Sequence, residues 1–106
     1  MVGRIWDLEV DPQRAAEFES FASDVALPMV RGKMGCSAVY VLRESESVGR
    51  YTCVTLWLSR KAMMVAAVSP DWAEVVAGFA RFGVAFDLDR ARAFDAVATF
   101  RAGEKS

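Results

Sequence analysis

The chain opens on a strict alternation. In VGRIWDLEV, Val2, Trp6, Leu8 and Val10 fall on one face while Asp7 and Glu9 fall on the other, the two-residue period of a half-buried strand. Asp11-Pro12 then supplies an N-cap and a first-turn proline. Ala15, Phe18, Phe21, Ala22 and Val25 follow at helical spacing as far as Pro28, which predicts an amphipathic helix. From Leu27 to Gly35 no period survives, and a connecting loop is expected there. Cys36–Arg43 and Arg50–Leu58 are rich in Val, Thr, Tyr and Leu and flank the polar ESESVG stretch, so they predict an antiparallel hairpin. Ser59 caps a short helix through Met63, Met64 and Ala67. Ser69-Pro70-Asp71 restarts a helix whose apolar face carries Trp72, Val75, Val76, Phe79 and Ala80. ARAFDAVATF (91–100), with Phe94, Ala96, Ala98 and Phe100 on one side, is the expected fourth strand.

The predicted order, strand-helix-strand-strand-helix-strand, is an α+β ferredoxin-like βαββαβ arrangement with an antiparallel sheet. Its helices cover one face of the sheet, and the other face must be buried elsewhere. Composition agrees. At 106 residues, 54% hydrophobic and 25% charged, the chain is one globular domain over 1–106, the last few residues forming a tail. Such a domain leaves about a third of its unfolded-chain surface exposed, so a mean hydropathy of +0.19 places apolar side chains outside one core and predicts a homomeric interface or a greasy pocket.

Thirteen basic against fourteen acidic residues leave no electrostatic footprint for nucleic acid or an anionic membrane. The longest apolar run, Ala62 to Val68, is far short of the roughly 20 residues that span a bilayer; a soluble, cytoplasmic chain is expected. There is no histidine and no asparagine, which removes imidazole catalysis, His-containing triads and most metal sites.

A hairpin symmetric about Glu46-Ser47 sets Arg43 opposite Arg50, Tyr40 opposite Cys53 and Cys36 opposite Trp57. Cys36, Ala38, Tyr40, Leu42, Tyr51, Cys53, Thr55 and Trp57 then share one face, and Val39, Val41, Val54, Leu56 and Leu58 the other. In this register the two cysteines stand roughly 13 Å apart, beyond disulfide reach, and read as buried thiols.

The segments MVGRIWDLEVDPQ, EFESF, GCSAVYVLRE, RYTCVTLWLS and SPDWAEV together resemble the antibiotic biosynthesis monooxygenase domain family. The resemblance implies a dimeric α/β barrel made by two ferredoxin-like sheets packed face to face. It also implies either cofactor-independent oxygenation of aromatic polyketides or quinols, or oxidative haem degradation. The chain departs from the family pattern at Trp57-Leu58-Ser59, where Trp-Glu-Ser is usual, and at Trp72, near which the family commonly carries a histidine. Of the residues the haem-degrading branch needs, only Trp57 matches.

Because the family pocket lies between sheet and helices, the aromatic hairpin face is assigned to the pocket and the aliphatic face to the dimer seam. Trp57, Trp6 and Trp72 are candidates for an aromatic cage around a flat substrate, with Phe79 and Cys53 beside them, or else plain core. Tyr40 and Tyr51 are the best hydrogen-bonding groups for a phenolic or carbonyl oxygen, and Arg4, sharing Trp6's parity, could hold an enolate or phenolate; equally, all three could sit at the rim. The carboxylates offer no obvious general base, since Asp7, Glu9 and Asp95 take the opposite parity. Met29, Met34, Met63 and Met64 read as core filling or a pliable lid, and Arg81, Arg90, Arg92 and Arg101 as a solvated surface.

The resulting expectation is a homodimeric oxygenase taking a hydrophobic anthrone, phenol or quinol and dioxygen, with no metal or flavin. The alternatives are a non-catalytic dimeric barrel binding a hydrophobic metabolite, and a haem-binding or haem-degrading protein.

Overall fold

The structure is a computed structural model that describes residues 1–86, 90–100 and 102. β1 (Val2–Val10), β2 (Cys36–Arg43), β3 (Arg50–Trp57), β4 (Gly83–Phe86) and β5 (Arg92–Asp95) make one antiparallel sheet. Its order is β2-β3-β1, with β4 and β5 sharing the far edge of β1. The helical segments, α1 (Ala15–Phe21), α2 (Leu27–Arg31), α3 (Arg60–Ala67) and α4 (Pro70–Phe82), accompany it in the α+β ferredoxin-like arrangement.

The alternation in β1 holds. Val2, Trp6, Leu8 and Val10 are buried, while Asp7 and Glu9 are exposed. The β1–β3 register sets Trp6 against Cys53, Leu8 against Tyr51 and Val2 against Trp57, so these six side chains share the face that packs on Phe18, Val75, Phe79 and Phe82. Burial of this apolar layer is the main stabilising term. All three caps read from the sequence form: Asp11 Oδ1 accepts from Gln13 N at 2.9 Å, Ser59 Oγ from Ala62 N at 3.1 Å and Ser69 Oγ from Trp72 N at 3.2 Å. Lys33 Nζ meets Asp71 Oδ2 at 2.7 Å, bracing the turn after α2 against the first turn of α4. No single described helix is long and apolar enough to cross a membrane.

Three expectations are corrected. Pro28 does not end the first helix. Ala22–Ala26 widens into a π turn in which Leu27 N bonds Ala22 O, five residues back, and α2 then runs on to Arg31. The wide turn interrupts the i→i−4 ladder just before Pro28, which has no N–H to give it, so Leu27–Arg31 is helical and the expected loop shrinks to 32–35.

The hairpin register is also shifted. A β-bulge between Cys36 and Ala38 inserts one extra residue, so Cys36 still faces Trp57 but Tyr40 faces Val54 and Val41 faces Cys53. Past the bulge every β2 side chain therefore takes the face opposite to the symmetric register. Val39 and Val41 pack on the core, while Tyr40 and Leu42 turn away from the helices, each half exposed.

Finally, the edge strand is split. β4, which follows α4 directly, pairs with Leu8–Val10, and β5 pairs with Val2–Ile5. The strand expected over 91–100 is thus limited to Arg92–Asp95; beyond it Val97 and Phe100 are exposed. The expected tail at 103–106 and Arg101 lie outside the described residues.

Candidate functional site

The space between sheet and helices is walled by the residues that β1, β3 and α4 bring together. Trp6 and Trp72 stand edge to face, ring centroids 5.5 Å apart. With Cys53, Thr55, Val75 and Phe79 they line an apolar cavity of about 10 Å³. A neighbouring gap of the same size is lined by Arg4, Thr55, Trp57, Met63 and Trp72. Thr55 and Trp72 thus stand between two parts of one aromatic layer.

The two buried tryptophans differ in one respect. Trp57 Nε1 donates to Thr55 Oγ1 at 3.0 Å, a bond made possible because residues two apart on a strand share a face. Trp6 Nε1 is buried with no partner among the described residues, a situation that costs about 1–3 kcal/mol. The indole donor available to a ligand is therefore on Trp6, not on Trp57. Burial pushes the Cys53 thiol up to about 12, helped by the charge of Asp7. Cys53 is thus a neutral, inert wall atom at physiological pH. Arg4 is half-buried beside Trp57 and makes no ion pair among the described residues.

A second, larger space opens at the other end of β3. It is a groove of about 590 Å³ between the hairpin end and the π turn, lined by Glu19, Ser23, Leu27, Val41, Arg43 and Tyr51 among others. The Tyr51 ring is buried against Phe18, centroid to centroid 4.6 Å. Its hydroxyl donates to Glu19 Oε2 at 2.6 Å, and Arg43 Nη1 donates to the same oxygen at 3.0 Å. Burial, and next the bond to Glu19, push the Tyr51 phenol up to about 12. The Tyr51 hydrogen bond, together with Arg43, holds the Glu19 carboxyl below its ordinary value. The cluster is locked as phenol and carboxylate: Tyr51 is a donor and not a base.

Of the residues proposed from sequence, Trp6, Trp72, Phe79 and Cys53 meet at the first cavity, Trp57 and Arg4 at the second, and Tyr51 at the groove. Tyr40 joins none of these and lies on the open sheet face. Met29 packs on the core and Met63 is part of it, whereas Met34 and Met64 are exposed. Sequence reasoning missed Glu19. Its signal was its place directly after Phe18, the residue that meets Tyr51. Val41 was missed because the bulge reversed its face. No group of three or more His, Cys, Asp or Glu side chains able to hold a metal occurs among the described residues.

No family model matches the sequence, and no curated protein matches it. Solved structures do. A protein of Caulobacter crescentus, provisionally named an antibiotic biosynthesis monooxygenase, is 24% identical, with 92% of this chain and 90% of that chain covered at a TM-score of 0.77. One from Bordetella bronchiseptica with the same provisional name is 26% identical, with 92% and 97% covered at 0.76. SnoaB, a cofactor-independent oxygenase from Streptomyces nogalater, is 21% identical, with 92% and 94% covered at 0.75. Over 92% of its length the chain has the fold of these antibiotic biosynthesis monooxygenase-type structures.

Proposed function

We propose that the chain is a cofactor-independent oxygenase of a hydrophobic aromatic substrate, an anthrone, phenol or quinol, held between sheet and helices. The observation that carries this reading is the aromatic layer of Trp6, Trp57, Trp72 and Phe79 lining that space, in a fold shared with a cofactor-independent oxygenase. Large rings give a flat substrate apolar contact, and the dry surroundings favour an anion that is electron-rich rather than hydrated.

For an anthrone the chemistry balances without a cofactor. The substrate C–H loses its proton to water, and the carbanion passes one electron to dioxygen. The resulting radicals join as a peroxide. After protonation the peroxide sheds water, leaving a carbonyl with one oxygen atom in the product. Both electrons come from the substrate. The protein orients and stabilises: Arg4 offers positive charge beside Trp57, and Trp6 a free donor. Tyr51 and Cys53, both held protonated, leave the substrate's own acidity to supply the anion.

The chain works as a homodimer in this reading. The sheet face away from the helices carries Ile5, Val54, Leu56, Tyr40, Leu42 and Phe94, which a second sheet would cover. Sedimentation should give twice the 11.7 kDa chain mass, and Leu56→Arg should give the monomer; a monomeric wild type at micromolar concentration refutes the assembly.

The activity is tested with an oxygen electrode and an anthrone and hydroquinone panel under ¹⁸O₂. One dioxygen consumed and one labelled atom per product is expected, and Trp57→Phe should lower kcat/KM roughly tenfold. Oxygen uptake no faster than in buffer across the panel refutes the oxygenase. The second reading is then a non-catalytic barrel that binds a hydrophobic metabolite, which the locked Tyr51 and Cys53 favour.

A further inference from the structure

The near balance of charge over the whole chain conceals an asymmetry. The sequence carries no acid from Val25 to Arg43 and none from Tyr51 to Pro70. The fold brings these two stretches together, because the 32–35 turn lies against the start of α3. Leu58 N donates to Gly35 O at 2.8 Å, and a Cβ on Gly35 would overlap that of Ala62. Arg31 and Lys33 come to this place from one stretch, Arg60 and Lys61 from the other. Lys33 is paired with Asp71 and Arg60 with Asp95, whereas Arg31 and Lys61 make no ion pair among the described residues.

The same surface is apolar. Met63 and Ala66 turn the inner side of α3 to the core. Lys61, Met64, Val65 and Val68, spaced i, i+3, i+4 and i+7, form its outward stripe. Met64, Val65 and Val68 are 61%, 62% and 84% exposed. Leu58 just before the helix and Met34 on the turn extend the stripe, and Met34 is 93% exposed. Neither Met34 nor the stripe lines any cavity of the candidate site. An exposed apolar patch rimmed by charge marks an interaction surface.

Charge and chemistry select the occupant. A second copy seated symmetrically here would set a cationic patch against itself, and like-charge juxtaposition is costly. A nucleic acid offers phosphates to the cations but nothing to an aliphatic stripe. An anionic bilayer surface offers both, headgroup charge for the cations and an acyl boundary for the stripe. We propose that the outward face of α3 and the 32–35 turn dock on an anionic membrane surface, with Met34, Met64, Val65 and Val68 entering the headgroup boundary and the four cations meeting lipid phosphates. The chain lies on the bilayer, since no single described helix is long and apolar enough to cross it. Docking does not depend on the oxygenase reading. It would set the lipid one helix away from the aromatic layer, because Met63 and Ala66 wall the gap beside Trp57 and Arg4.

The probe is vesicle flotation, comparing equal parts phosphatidylcholine and phosphatidylglycerol with phosphatidylcholine alone. The wild type should float with the anionic vesicles at low ionic strength and be released by molar salt. Lys61→Gln should weaken binding roughly fivefold and Val65→Ser roughly tenfold. With ¹³C-methyl-methionine protein and a gadolinium-chelate lipid in the vesicles, the Met34 and Met64 methyls should broaden before that of Met63 on the core side of the same helix. No flotation with anionic vesicles, equal flotation with phosphatidylcholine alone, or broadening no stronger at Met34 and Met64 than at Met63 overturns the proposal. The methyl spectrum of the wild type decides even if a variant fails to fold. A lipid-free mass that falls in Val65→Ser but not in Leu56→Arg makes the occupant a second copy, and retention on heparin without flotation makes it a polyanion; either result overturns the membrane assignment.

Discussion

Gly78→Ala separates helix propensity from packing, because the two predict opposite signs. Gly78 lies inside α4, where alanine is ordinarily better by about 1 kcal/mol. Here an added Cβ would overlap Phe21 Cζ and come within 2.7 Å of both Cε atoms. The Phe21 ring cannot swing away freely. It packs against Phe82 at 5.6 Å and Phe79 at 5.8 Å between centroids, with the Arg81 guanidinium 5.6 Å from its own. Overpacking of this kind costs about 1–3 kcal/mol, and against the propensity gain of about 1 kcal/mol the mid-range expectation is a net loss of about 1 kcal/mol. For a domain of this size that lowers Tm by roughly 4–8 °C. Calorimetry or far-UV melting reads it directly, and the sign is then tested in a second background. In Phe21→Ala the obstruction is gone, and the same Gly78→Ala change should stabilise by about 0.5–1 kcal/mol. A Gly78→Ala protein that melts at or above the wild-type temperature refutes the seating of Phe21 on Gly78, and with it this account of how α1 closes on α4.

The remaining expectations concern titration and thiol chemistry. Glu19, held below its ordinary value of 4.5, contributes stability that is complete above that value and is lost as pH falls through its lowered one. Its NMR titration should sit below 4.5 and move up in Tyr51→Phe; an unmoved midpoint would remove the hydrogen bond as cause. Tyr51, raised from 10.0 to about 12, contributes stability present below pH 10 and lost as pH rises through about 12. Absorbance at 295 nm should show a late phenolate step that Tyr51→Phe abolishes. With Cys53 buried and raised to about 12 and Cys36 half-buried, a disulfide reagent at pH 8 should titrate at most Cys36 in native protein and both thiols after unfolding. Rapid reaction of two thiols in the native state would contradict the burial of Cys53.

The parts of the fold legible in the sequence are those where one face is fully buried. β1 and β3 announce their parity through Trp6, Leu8, Tyr51, Cys53 and Trp57, and α4 announces its stripe through Val75 and Phe79, since burial on one side leaves a clear period. β2 gives no such warning. Val39, Tyr40, Val41 and Leu42 are apolar on both faces, so composition cannot tell which pair turns inward, and the bulge that decides it carries no sequence mark of its own. Pro28 misled because the rule that proline stops helices presumes an unbroken i→i−4 ladder, which the π turn interrupts. The edge strand was half found, because Val84, Ala85 and Phe86 extend the apolar content of α4 without a turn signal between them. At the site, the tryptophans were legible as residue types. Which indole keeps a free N–H was not, because that depends on Thr55 standing within reach of Trp57.

The bulge at Ser37 and the π turn at Ala22–Ala26 are the same kind of object: one residue more than the regular element needs. Pairing resumes in step on both sides of the bulge, Cys36 with Trp57 and Ala38 with Leu56, and the helix resumes from Leu27 to Arg31 beyond the wide turn. Both elements are therefore tolerant of shortening at one address each. Deleting Ser37 leaves the faces of β2 as they are, whereas deleting Tyr40 turns Val39 to the open side of the sheet and Ala38 to the core side. A scan of single-codon deletions should accordingly find two narrow permissive windows, at Ser37 and within Ala22–Ala26, in elements that otherwise reject them.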